Sequence, residues 1–560
     1  MAIYFDLSSY SGGNMITRYL MSSTFKNHTY SGANDIGIVC VKETGGPSGY
    51  SSTNNYFYVE FCDFYDNSMG VNSNAGLKIV DNATGSRNSN FRVYYSRFHD
   101  NVGKTIIDLY STNITSTTLY LNGSASTSSG ELFGYDNCYM TVSNNDVADC
   151  VINVVASTFV YLYLSYCYVE GNESGGDIIY YNIPNRSGNA ECVRVNGPLY
   201  VRYNRANDKI LDINGGNRLF VYMYSSYTYI NYNESVNETL YVRGGENSQL
   251  MTNGQCSYNV ITGSDLDHNY VQKFEFGASS SISNGVQEIE NNFIKNEHNA
   301  TMYIKTGQTE SAIICGTIRN GYGSLCGGVY IANTDSADLT INGIFERCTY
   351  TGSQGMSAIY FGNPNRNVEY SSCSFTRCNK GFDSQTIQIG NSTYTRPAVY
   401  AKEEDHVSIS NYNASYNISF TSCTFSYNSS KMSGGALYVG IDDNISINSC
   451  DFSYNSTDGK GGALYLEKDI TLSGCSFSNN TAKLGGGAIY SCADLTIQNS
   501  GIYGIRYNKT TNGNGGAILI ESAAELNVSG AKIFGNKAEN GNGGAIYTEG
   551  ASTFTDVGFG

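Results

Sequence analysis

Sixteen cysteines and eighteen Asn-x-Ser/Thr triplets are the residues of this 560-residue chain best equipped for chemistry. An even number of cysteines can pair as disulfides in an oxidising compartment. The triplets can accept N-linked sugar if a eukaryote secretes the chain, although a sequence so rich in Asn, Ser and Thr yields on the order of a dozen by chance. The five histidines, His28, His99, His268, His298 and His406, are scattered, and no Cys-x-x-Cys occurs. Metal-ligand spacing is missing, so no metal and no cofactor are expected.

The cysteines are placed by a repeat. Asn428, Asn455 and Asn480 are each preceded, three residues earlier, by Phe425, Phe452 and Phe477, and five residues earlier by Cys423, Cys450 and Cys475. The steps are 27 (428 to 455), 25 (455 to 480) and, further on, 28 (508 to 536). The same frame stands upstream in FYVEFCDFYDN (57–67), FRVYYSRFHDN (91–101) and LYLSYCYVEGN (162–172), with looser versions near Asn204, Asn296, Asn320 and Cys348. It stays unfixed between about 101 and 145 and between 205 and 290. Cys378 takes the asparagine position of its copy, and the step of 50 from there to Asn428 marks a loop insertion at 385–415.

A period of this length is the mark of a solenoid. Alternation such as Ile445, Ile447, then Cys450, Phe452 is the period of a strand with one face buried. The leucine-rich pattern with its helical return is absent. The reading is an all-β chain, 1–560 as one continuous parallel β-helix, of about 17–18 coils. Phenylalanines stack inside, and a tight corner takes the small Cys, Ser or Ala. The asparagines form an amide ladder that satisfies turn carbonyls.

This frame sorts the reactive residues. Cys423, Cys450 and Cys475 read as buried, inert fillers. Cys348 and Cys378 occupy one slot in neighbouring coils, within reach of a bridge, and are the disulfide candidates. Candidate glycosylation sites are Asn82, Asn113, Asn122, Asn233, Asn299, Asn391, Asn413, Asn444, Asn508 and Asn527.

The formal charge of −16 and pI near 4.8 argue against nucleic acid as a partner. The N-terminus has no basic stretch followed by an apolar run, so it is no secretory signal. The longest apolar run, VINVVASTFVYLYL (151–164), is short for a bilayer span and reads as strand. No membrane span is expected in this segment.

GGALY (434–438), GGALY (461–465), GGAIY (486–490), GGAIL (515–519) and GGAIY (543–547), interleaved with F-x-x-N, resemble the repeats of polymorphic membrane proteins, the chlamydial-type adhesin family, and of related protist surface proteins. The resemblance is specific over about 420–550 and weaker upstream. It implies a right-handed β-helix displayed at a cell surface, extracellular and adhesive. Its partners would be molecules of a host or neighbouring cell. It carries over no catalytic site.

Three roles stand side by side: an adhesive or structural surface element, a segment of an extracellular filament, and a polysaccharide-active enzyme. Asn333-Thr334-Asp335 and Asp442-Asp443 echo two motifs of the polygalacturonase type, but its His-Gly and Arg-x-Lys elements are absent and no carboxylates converge on neighbouring coils. No catalytic residue is assigned and no enzyme is expected. Met1–Phe5 resembles mid-coil residues Ser357–Phe361, and FTDVGFG stops just after the fifth glycine motif. The chain therefore reads as a segment of something longer, one larger chain or copies of itself end to end.

Overall fold

In the computed structural model the described residues are all-β with no helix, and their parallel strands stack as a β-solenoid of about 15 turns. The sequence leads one to expect 17–18. Steps of 34, 44 and 50 residues between some landmarks make those turns longer than the regular 25–28. The structure describes residues 2–6, 16–32, 34–44, 53–83, 87–113, 116–123, 139–157, 160–183, 191–223, 228–283, 287–307, 311–333, 337–353, 356–378, 380–389, 391–400, 413–521 and 523–560. Among them no helix is long and apolar enough to cross a membrane. Two compact units are distinguished, Met1–Glu297 with Thr386–Arg396, and His298–Gln385 with Pro397–Gly560.

One coil of the second unit shows how the sequence makes the fold. Its strands are Ile445–Asn448, Asp451–Ser453, Ser456–Thr457 and Leu464–Leu466. Ile447, Cys450, Phe452, Leu464 and Leu466 point in and are buried, while Ser446 faces solvent. Between strands a single residue takes left-handed backbone, Ser449 at φ 54° and Tyr454 at φ 57°. One such residue bends an extended chain sharply, so each corner needs only one. Coils then pair in register, Phe425 on Phe452 on Phe477, with ring centroids 4.8 and 5.0 Å apart.

The first unit repeats this plan. One face runs through Gly37–Thr44, Asn74–Asn82, Ile107–Ser111, Ile152–Ala156, Ile179–Ile183, Leu211–Gly215, Leu240–Gly244 and Gln272–Phe276, all parallel. The apolar run at 151–164 becomes Ile152–Ala156 and Val160–Ser165, two strands as expected. The unfixed stretches fall into register with landmarks at Asn145, Asn233, Asn259 and Asn292. Two loose landmarks move. Asn292, not Asn296, is the rung, and Asn320 is the left-handed corner residue (φ 55°), leaving Gly321 in the slot. Within the insertion, Gln385–Ile389 and Ser392–Arg396 pair as a two-stranded sheet, and residues 401–412 lie outside the described residues.

Candidate functional site

The landmark asparagines form an amide ladder in each unit. In the first unit it runs through Asn67, Asn101, Asn145, Asn172, Asn204, Asn233, Asn259 and Asn292, each donating Nδ2–H to Oδ1 of the next at 2.8–3.0 Å. The second Nδ2 proton goes to a strand carbonyl one coil back, as from Asn101 to Phe64 O at 2.9 Å. Oδ1 also accepts the backbone N–H of the preceding asparagine, closing every option of the amide. In the second unit Asn455, Asn480, Asn508 and Asn536 repeat the scheme.

The cysteines serve the corners. Cys450 donates Sγ–H to Phe420 O (3.4 Å) or Asn448 O (3.2 Å), and Ser96 does the same with Oγ towards Val59 and Tyr94. Where Cys or Ser fills the slot it donates to these carbonyls, but the coils on either side of Cys167 place buried Met140 and Leu199 there, so the slot does not require a donor. Burial pushes the Cys62 and Cys475 thiols up to about 11, so they stay protonated and unreactive at neutral pH. Cys348 and Cys378 stand in the asparagine slot, and their sulfurs reach Ile318 O (3.7 Å) and Phe345 O (3.6 Å), the carbonyls an asparagine would cap. Both are free thiols, so the bridge expected between them stays a proposal that would sacrifice these contacts.

The candidate glycosylation sites divide by burial. Asn233 and Asn508 are ladder rungs, and Asn113 donates Nδ2–H to Asp81 Oδ2 at 3.0 Å; all three are fully buried and committed to the fold. Asn391 and Asn444 are exposed, while Asn82, Asn122, Asn299, Asn413 and Asn527 are half-buried. The described residues of the two paired motifs do not assemble a site. Asn333 is buried and donates to Thr306 Oγ1 at 2.8 Å, Asp443 Oδ2 accepts Gly440 N–H at 2.7 Å in its own turn, and Thr334 and Asp335 lie outside the described residues.

Carboxylates do converge elsewhere, which corrects the expectation that none would. In the first unit Asp177, Asp212 and Glu238 come from three successive coils and are at most 6 % exposed. Lys209 Nζ lies 2.9 Å from Asp208 Oδ2 and 3.3 Å from Asp212 Oδ2. His268 Nδ1 is 3.0 Å, and Lys273 Nζ 3.8 Å, from Glu238 Oε1. Tyr241 lies between the two ammonium groups and donates to Glu275 Oε2 at 2.6 Å. Burial, with Asp212 beside it, pushes Asp177 up to about 8. Asp212 Oδ1 and Glu238 Oε2 have no hydrogen-bond partner among the described residues. Cations from two coils oppose the carboxylates, so the cluster largely balances its own charge. Its residues are far apart in the sequence, and only the register of 205–290 brings them together.

The comparisons with known proteins bear on the second unit. The model of the Chlamydia polymorphic membrane protein repeat matches residues 422–440, 449–467 and 474–492. Residues 422–492 carry polymorphic membrane protein repeats. No curated protein and no solved structure matches the chain. In these polymorphic membrane protein repeats the two glycines of GGA have separate jobs. Gly461 holds φ at +71°, where other residues are strained. Gly462 sits under the next coil, and a Cβ there would meet Gly487 O at 2.0 Å. Ala463 is buried, and its N–H reaches Ala488 O at 2.8 Å. The polymorphic membrane protein repeat thus encodes a bend, a close approach and a filler. It points to a surface-exposed β-helical protein.

Proposed function

We propose that the chain is a non-enzymatic element of a cell surface whose β-solenoid makes adhesive contacts with molecules of neighbouring cells. The supporting observation is the run of three polymorphic membrane protein repeats at 422–492, built on an amide ladder like that of the first unit. A ladder that uses every amide leaves the inside of the coils to structure, so contacts belong on the outward side chains. Two measurements test the reading. Antibody to the folded chain should stain intact source cells, and beads coated with the chain should bind cell monolayers. Staining only after permeabilisation, or beads that bind no better than albumin-coated ones, would overturn it.

A second reading, a polysaccharide-active enzyme, is favoured by the convergence of Asp177, Asp212 and Glu238, since glycoside cleavage uses paired carboxyl groups of unequal acidity. Release of reducing ends from a sugar polymer, abolished by Glu238→Gln, would establish it.

A further inference from the structure

The second face of the first unit carries an outward stripe that the ladder does not explain. Strands Ile16–Met21, Thr53–Glu60, Arg87–Tyr94, Ser116–Asn122 and Val160–Ser165 pair in register and stack Tyr19, Tyr58, Arg92, Tyr120 and Tyr163 in one outward column. Strands Glu191–Val195 and Leu219–Met223 extend it through Arg194 and Tyr222. Tyr56 and Tyr161 flank it two residues earlier on their strands. These side chains are half-buried to exposed, with Tyr19 at 55 %. Aromatic area on this scale outside a core marks a contact surface.

The geometry restricts what can bind. Tyr19 and Tyr58 stack with centroids 4.7 Å apart and planes 17° apart, and Tyr120 and Tyr163 with 4.7 Å and 11°. Arg92 takes a ring's place, its guanidinium 5.4 Å from the Tyr58 ring and 5.0 Å from the Tyr120 ring. It also donates to the Tyr58 hydroxyl at 3.1 Å. Ring faces are thus spent on one another and on guanidinium. Solvent meets ring edges and phenol hydroxyls, one rung per coil. Ring edges carry the positive part of the aromatic quadrupole. The column and its flank hold two arginines and no carboxylate from Tyr19 to Tyr222, in a chain of charge −16. Glu60, two residues beyond Tyr58 on the same strand, is the nearest acid on these strands and interacts with Arg92.

We propose that this stripe binds an acidic polysaccharide laid along the stacking axis, about one sugar per coil. This names the partner class of the adhesive reading and rests on it. A pyranose ring spans about the rise of one coil, so its hydroxyls meet successive phenols while its carboxylates meet Arg92 and Arg194. Such charge complementarity contributes specificity and a strong salt dependence.

The test uses the whole chain with polygalacturonate as the probe, and a neutral β-glucan oligomer and single-stranded DNA as comparison arms. Polygalacturonate should bind at low salt and dissociate at high salt, and the β-glucan should bind more weakly. The double variant Tyr58→Ser/Arg92→Gln should weaken polygalacturonate binding by roughly tenfold or more with the melting temperature unchanged. Tyr465→Ser, in an outward tyrosine column of the second unit, should leave binding intact. Equal binding by the double variant, equal binding of the neutral glucan, or tighter binding of DNA would overturn the inference. Beads that adhere while polygalacturonate fails to bind would remove this inference and leave adhesion standing. Polygalacturonate binding lost in the double variant, with beads that do not adhere, would uphold the site and remove adhesion.

Discussion

Asn455 donates Nδ2–H to Oδ1 of Asn480 at 3.0 Å, and the same oxygen accepts the backbone N–H of Asn455 at 3.0 Å. The second Nδ2 proton of Asn455 goes to Phe425 O at 2.9 Å. Asn455→Ala leaves a buried carbonyl and an amide oxygen short of donors, a cost of about 2–3 kcal/mol. Asn455→Asp keeps the shape but buries a charge, so it should destabilise more near neutral pH. Lowering the pH protonates the new carboxyl, and the two variants should converge. Denaturant melts of both at neutral and acidic pH check this. Two equally harmless substitutions would mean the ladder contributes nothing.

Phe452 is fully buried between Phe425 and Phe477. Phe452→Ala removes both ring contacts and opens a cavity that two flanking coils cannot close without breaking register. The expected loss is about 3–5 kcal/mol. A loss under about 1 kcal/mol by chemical denaturation would contradict the inward packing.

Gly462 offers a sharper backbone test. Its Cβ would lie 2.0 Å from Gly487 O and 2.8 Å from Thr481 backbone atoms, so alanine must push two coils apart. Gly462→Ala should cost at least about 3 kcal/mol, the upper range for overpacking. Gly440 is the control, because its Cβ would meet nothing closer than 3.3 Å, at the Asp443 carboxylate. Hydrogen exchange should show Gly462→Ala opening residues 456–490 while Gly440→Ala leaves them protected.

Asp177 sets a pH dependence. Its carboxyl titrates at about 8 in the folded chain and near ~4 when unfolded. A raised folded value means the native state holds the proton more tightly. The stability it contributes is complete below about pH 4 and is lost as the pH climbs through about 8. Asp212, pushed by burial up to about 6, acts in the same sense over a lower range. Asp177→Asn keeps an acceptor for Lys209 N–H, which lies 2.7 Å from Asp177 Oδ1, and removes the titration. Thermal melts between about pH 5 and 9 should fall more steeply for the parent chain than for the variant. Parallel curves would place the proton elsewhere.

Phe452, Asn455 and Gly462 are legible in the sequence because each coil around them repeats the same residue for the same reason. Asn145 is not. Val142 stands where phenylalanine would, and residues 124–138 separate it from the preceding strand, so the step of 44 hides the period. The frame generalises to an apolar residue, two others and asparagine, as in Ile230–Asn233 and Ile289–Asn292. The cluster of Asp177, Asp212 and Glu238 is hidden for a related reason. Its members are neighbours only across coils, so an error in one step separates them. Of the outward stripe, Tyr58, Arg92 and Tyr163 fall on one position of the frames at 57–67, 91–101 and 162–172, whereas Tyr19 and Tyr120 need the register of the structure.

Asn455, Asn480 and Asn508 present the same donor to one side and the same acceptor to the other, so no rung marks its own place in the series. A coil spliced out whole, or copied, would leave a joint chemically identical to the one it replaced. Lineages could lengthen or shorten this unit by unequal recombination, in quanta of one coil, without redesigning the core. A fraction of a coil is tolerated only where the extra residues leave the strands and corners in register, as in the step of 50 from Cys378 to Asn428. Within a strand it would set cysteine against phenylalanine.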